Sequence, residues 1–207
     1  MKRGVLALWG LMFLALAGVY YWRTQHAELT TVRVSNNTTP MDSSVYPDKP
    51  VVDFQLVDES GAPFSSEQLK GRVWVASFFF ANCPGFCLNL NQQIEKLVKE
   101  LADTDVRFVS FTVDPAHDTP AVLAEYAKKF NADPARWTFL TGEQATIERV
   151  ALDSFLVSAA PATHTGRIML VDQNGKVRGA YSYSSSAELA TLARRVRELT
   201  GSSKKAE

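Results

Sequence analysis

The 207-residue chain contains two cysteines, Cys83 and Cys87, four residues apart. Three kinds of chemistry fit such a pair. A structural disulfide is the weakest reading, because a bridge closing so small a loop constrains the unfolded chain little. The second is a reversible dithiol. A helix amino terminus favours thiolate through its unpaired amides and its dipole, and the sequence puts Cys83 just before such a terminus and Cys87 in or near its first turn. The third is a metal site, since two thiolates at this spacing can share one soft cation such as Cu(I).

Two sulfurs rarely complete a metal site, so the three histidines matter. His26 stands at the edge of an apolar run and is read as incidental. His117 lies in the polar turn Asp114-Pro115-Ala116-His117-Asp118, where a solvated side chain is the default. His164, in Pro161-Ala162-Thr163-His164-Thr165-Gly166, precedes a strand expected to be central, so its loop could face the cysteines. A lone loop histidine is more often structural or solvated than a ligand, and spacing alone leaves the choice open.

The elements around these residues are legible. Val73-Trp74-Val75-Ala76-Ser77-Phe78-Phe79-Phe80 reads as a strand buried on both faces. Asn82–Cys87 follows directly, and then Leu88, Leu90, Ile94, Leu97, Val98 and Leu101 recur at helical spacing. Val106–Val113 is a second strand. Thr119-Pro120 opens a helix with proline at its first position, and Asp118 or Thr119 can cap it. Trp137–Leu140 is a short strand and Ile147–Leu152 a short helix. Arg167–Asp172 and Val177–Tyr181, joined through Asn174-Gly175, form a hairpin, and Ala187–Leu199 a closing amphipathic helix. An opening hairpin spans Phe54 to Leu69. This order is that of an α/β sandwich, in which ligands sit beyond the carboxyl ends of strands.

The segments outside the domain carry their own signals. Lys2 and Arg3 precede a nearly uniform apolar run, Gly4–Trp22, close to the roughly 20 residues that span a bilayer as a helix. Charges placed before the run keep the amino terminus in the cytoplasm and export the rest. Tyr20, Tyr21 and Trp22 sit where an interfacial belt would be. Ala15-Leu16-Ala17 offers the alternative of a cleaved signal peptide; the apolar run continuing past it favours an anchor. The expected organisation is an anchor over 1–23, a polar tether over 24–50, a domain over 51–200 and a tail over 201–207. With 22 basic and 22 acidic residues, and no basic run in the folded part, nothing points to nucleic acid. Phosphate-binding loops, serine triads and paired carboxylates are absent from the pattern.

Taken together, Ser77-Phe78-Phe79-Phe80-Ala81-Asn82-Cys83-Pro84-Gly85-Phe86-Cys87, the turn Thr112-Val113-Asp114-Pro115-Ala116-His117-Asp118-Thr119-Pro120, and His164 followed eight residues later by Asp172 resemble the Sco/SenC family of copper proteins. The resemblance covers about residues 50 to 200. It implies a thioredoxin-like three-layer sandwich behind an N-terminal hydrophobic helix. It also implies copper, as Cu(I) or Cu(II), held by Cys83, Cys87 and His164, and a role in maturing the dinuclear copper centre of cytochrome oxidase. Two thiolates and an imidazole suit trigonal Cu(I), whereas Cu(II) would recruit a further ligand. Two departures stand out: Leu88 occupies a position where many members have proline, and Gly85-Phe86 replaces a commoner polar pair. The apolar Phe86 is placed to cover a metal or dock a partner, so these changes bear on the recipient more than on metal binding.

The leading expectation is therefore a membrane-tethered, exported copper chaperone whose partner is the copper-bearing oxidase subunit or another exported copper protein. The alternative is a thiol–disulfide oxidoreductase in which one thiolate of the Cys83/Cys87 pair attacks and the other resolves, Cys83 being the better attacker if it is the more exposed. A peroxidase-like relative on the same fold is the least supported reading.

Overall fold

The computed structural model describes residues 41–160 and 165–201. His26, His164 and the apolar run lie outside these residues. Among the described residues no helix is long and apolar enough to cross a membrane.

One mixed sheet organises the domain. Its strands are β1 (Met41–Asp42), β2 (Gln55–Asp58), β3 (Pro63–Ser65), β4 (Trp74–Phe79), β5 (Arg107–Thr112), β6 (Trp137–Thr141), β7 (Arg167–Val171) and β8 (Val177–Ser182), in the spatial order β1-β8-β7-β4-β5-β6-β2-β3. β4, β5 and β6 are parallel; the other pairings are antiparallel. Among the described residues, four α-helices cover the sheet: α1 (Phe86–Glu100), α2 (Pro120–Lys128), α3 (Gln144–Phe155) and α4 (Ser186–Thr200).

Alternation along β4 sends its side chains to two helical layers. Trp74 and Phe78 meet Phe155 of α3 edge-on. Phe79 points the other way and stacks on Tyr126 of α2, which also meets Phe139 of β6. The Asn91 amide of α1 donates to the Tyr126 hydroxyl (3.0 Å), so α1 shares that face with α2. This is the three-layer arrangement expected of a sheet buried on both sides. All six residues of β4 are buried, which accounts for its unbroken apolar run. Ser77 is the polar exception. Its hydroxyl is paired with that of Ser110 (2.8 Å), which accepts from Trp137 Nε1 (2.9 Å), so the buried polar groups satisfy one another.

The short helix expected at Ile147–Leu152 extends to Gln144–Phe155, ending in a left-handed Leu156. The opening hairpin forms as β2–β3, but its partner is β6 at the far side of the sheet. Within the stretch read as tether, Met41–Asp42 pairs with β8 and Tyr46 is buried, and just after it the Val51 amide donates to the Gly175 carbonyl (2.9 Å). Local polarity hides these contacts because their partners lie far along the chain.

Register defines the working edge. Phe79 of β4 is level with Thr112 of β5, and Phe111 with Leu140 of β6. The carboxyl ends of the parallel strands, and the loops that follow β4 and β5, are therefore at one end of the sheet. β7 runs against β4, with Ala76 opposite Met169. Continued by two residues, that register puts Arg167, the start of β7, at the same end. α1 and α4 both start there and run the length of the sheet. Their opposite ends are tied by the Arg197 guanidinium, which donates to the Glu100 carbonyl (2.9 Å).

Candidate metal and thiol site

The cysteine motif is the connection from β4 to α1. After Phe79 the chain turns at Ala81-Asn82, and the Cys83 amide donates to the Phe80 carbonyl (3.3 Å). Gly85 then takes φ +101°, a conformation L side chains rarely adopt, and acts as the N-terminal cap residue of α1. A β-carbon there would meet nothing within 4 Å, so the demand for glycine comes from the backbone alone. The turn folds Cys83 back over the helix start. Its sulfur accepts a hydrogen bond from the Cys87 amide (3.2 Å), one of the donors a helix leaves unpaired at its first turn.

Neither cysteine is in a disulfide, and the two are unequal. Cys83 is partly exposed; Cys87 is buried at 1 % exposure. Burial pushes the Cys87 thiol up to about 12, helped by its hydrogen bond to Cys83 and by the nearby charges of Cys83 and Asp118. The expectation that a helix start favours thiolate therefore fails for Cys87, because desolvation outweighs the dipole. Tyr126, packed over the same buried region, is likewise pushed upward by burial.

The Asp114–Pro120 turn does more than start a helix. The Thr119 hydroxyl accepts from the Val122 amide (3.4 Å) and is the cap of α2. Asp118 is not a cap. Its buried carboxylate accepts from the Ala81 amide (3.0 Å) and from the Thr112 hydroxyl (2.5 Å), and the same hydroxyl accepts from the Asp114 amide (3.0 Å). One side chain thus joins the end of β5 to the approach of the cysteine motif. Burial raises the Asp118 pKa, opposed by those two hydrogen bonds. The Asp-Pro-x-x-Asp-Thr pattern signalled a structured turn but not this reach.

His117 is exposed, as expected of a turn residue, and its Nδ1 meets the Asp114 carboxylate (2.9 Å), which raises its pKa. It lines an open cleft of about 670 Å³ with Asn82, Asp114, Val122, Tyr126 and Lys129. Among the described residues no group of three His, Cys, Asp or Glu side chains could hold a metal ion. The structure therefore brings Cys83 and Cys87 together, and His164, beyond the described residues, is located by its neighbours Thr165 and Gly166 only in sequence.

Comparison with known proteins now bears on this geometry. The SCO1/SenC family model matches residues 44–201. The chain belongs to the SCO1/SenC family. Among its relatives, the SCO1 protein homolog of Bacillus subtilis is 36% identical over 138 residues, covering 62% of this chain and 72% of that protein. The solved structure of BsSco, described as a member of the Sco family of cytochrome c oxidase assembly proteins and noted for a disulfide switch, superposes with a TM-score of 0.69 at 31% identity. That match covers 75% of this chain and 96% of BsSco. The copper-bound ScoI of Bradyrhizobium japonicum superposes with a TM-score of 0.56 at 26% identity, covering 71% and 99%. The fold of this SCO1/SenC member is accordingly the thioredoxin-like one that the family resemblance implied.

Proposed function

We propose that this protein is a membrane-tethered copper chaperone that binds one copper through Cys83, Cys87 and His164 and delivers it to the dinuclear copper centre of cytochrome oxidase. The observation that carries the reading is the pair of thiols within one turn at the start of α1, with the Cys83 sulfur seated on the Cys87 amide. Two soft donors so close suit a soft cation. The partly exposed Cys83 offers access, while Cys87 provides a second donor already shielded from water. The segment that carries His164 joins β7 at this edge, which supports it as the third ligand. Binding displaces thiol protons, and release to an acceptor returns them. The copper-bound relative and the oxidase-assembly relative support cargo and recipient; the basic start and apolar run of the sequence support an anchored amino terminus inside and an exported domain.

The test is a titration of the reduced full-length chain with Cu(I) against a chromophoric chelator. The expected stoichiometry is about one copper per chain, as for a single three-ligand site. Cys83→Ser, Cys87→Ser and His164→Ala should each weaken it. An affinity unchanged by His164→Ala would overturn the ligand assignment.

The unequal thiols favour a second reading, thiol–disulfide exchange. Cys83 thiolate would attack a target disulfide, forming a mixed disulfide and releasing one target thiolate. Cys87, on losing its proton, would then displace the second target thiolate and close a Cys83–Cys87 disulfide. The target gains two electrons and two protons. Reductase turnover that survives complete copper removal would favour this reading.

A further inference from the structure

The segment that brings the chain into β7 is anchored at several points. The Tyr183 amide donates to the Gly166 carbonyl (3.0 Å), and the Arg167 amide to the Thr165 hydroxyl (3.4 Å). The Arg167 guanidinium lies 3.5 Å from Glu188, whose buried carboxylate also accepts from the Ser182 amide (2.7 Å). These polar ties run within the segment, to β8 and to α4. Among the described residues, a contact that joins the segment to the cysteine helix runs through Phe86. Its ring meets Tyr183 edge-on, centroids 5.1 Å apart at 75°. Gly166 sits in the notch between the two rings: a β-carbon there would lie 3.4 Å from Tyr183 Cδ1 and Cε1 and 3.6 Å from Phe86 Cζ. A small alanine would fill that notch, whereas a branched side chain would push the rings apart.

We infer that Phe86 and Tyr183 are positioning residues that seat Gly166 against the first turn of the cysteine helix and so set where the segment bearing His164 meets β7. This rests on the proposed copper-binding reading. Phe86 lies between the two cysteines, so the same short turn that presents the thiols also holds the strand-side segment. A ring pair of this kind biases the segment toward one position. Apparent metal affinity scales with the fraction of chains in the binding-competent arrangement. Losing the pair should therefore weaken copper binding without removing any ligand. Phe86, which at sequence level stood out as an apolar replacement in the motif, acquires a specific use: it faces inward to Tyr183 and Gly166.

The experiment is Cu(I) competition against a chromophoric chelator with the reduced full-length chain. Phe86→Leu, Tyr183→Leu and Gly166→Val are each made in the parent and in a His164→Ala background, and melting is followed alongside. In the parent, each should lower affinity about two- to tenfold, the range an edge-to-face ring pair supports. Tyr183→Phe keeps the ring and should restore parental affinity. In the His164→Ala background the same three changes should have no effect, because there is no imidazole left to position. Equal weakening in both backgrounds would mark the rings as merely structural and overturn the inference. Unchanged affinity in the parent, with His164 still required, would overturn it and leave the copper reading standing. Parental affinity insensitive to His164→Ala would overturn the copper reading and the inference together.

Discussion

The inequality of the two thiols predicts a large difference in their chemistry. Burial raises the Cys87 thiol from an ordinary value near 9.0 to about 12. Three units correspond to about 4 kcal/mol favouring the neutral form at 1.36 kcal/mol per unit. At any pH below 9 the thiolate fraction of Cys87 is then about a thousandfold lower in the folded chain than in the unfolded one. The assay is alkylation of reduced, metal-free protein between pH 7 and 10, with and without urea, followed by mass spectrometry of the two peptides. Cys83 should be labelled first. Below pH 9, Cys87 should react about a thousandfold more slowly in the folded chain than in urea, narrowing to about a hundredfold at pH 10, with its folded-state rate rising about tenfold per pH unit as thiolate accumulates. The linkage has a definite sign. Between about pH 9 and 12 the folded chain keeps a proton that the unfolded chain has lost, so the contribution to stability is intact below 9 and fades toward 12. The urea midpoint should fall across that window. If folded Cys87 at pH 7 reacted within tenfold of its rate in urea, the thiol would not be desolvated as described.

Three further changes probe the frame around the cysteines. Asp118→Ala leaves the Ala81 amide and the Thr112 hydroxyl without their partner; relief of the carboxylate's own desolvation offsets part of the loss, so about 1–3 kcal/mol should be lost in urea unfolding at pH 7, with faster Cys87 alkylation. A loss below about 0.5 kcal/mol, the range of ordinary surface substitutions, would deny Asp118 this role. Gly85→Ala should cost about 1–3 kcal/mol from the backbone alone, because φ +101° with ψ −49° lies outside even the left-handed helical region; a loss below about 0.5 kcal/mol in urea unfolding would argue against a backbone demand for glycine. Ser110→Ala strands Trp137 Nε1 and the Ser77 hydroxyl within the core and should destabilise by about 1–3 kcal/mol, with a shifted tryptophan emission as the second readout.

Much of this architecture could be read from residue order. The apolar run Val73–Phe80 announced a strand covered on both faces, and the heptad-like return of Leu90, Ile94 and Leu97 announced α1; all three side chains are buried. Asn174-Gly175 marked the β7–β8 turn, where Gly175 adopts φ +76° and the Asp172 carboxylate accepts from the Asn174 and Lys176 amides. What escaped is non-local. β2–β3 could be recognised as a hairpin, but nothing nearby said that it would dock on β6. Met41–Asp42 is too short to show a period. At the site, the cysteine pair was plain from spacing, yet its asymmetry depends on burial among α1, α2 and the Asp118 turn, which no local pattern encodes. Tyr183 gave no signal, because its role comes from a ring 97 residues away, at Phe86.

The parallel course of α1 and α4 has a practical consequence. Each is 15 residues long, about 22 Å at 1.5 Å per residue, and both carry their carboxyl ends away from the cysteines. A fluorophore attached just after Thr200 would sit at the end of the sheet opposite the thiols, carried by a helix rather than by a loop. Energy transfer between that fluorophore and a chromophoric copper probe at Cys83 would then act as a ruler for cargo loading, with the helix supplying a fixed baseline.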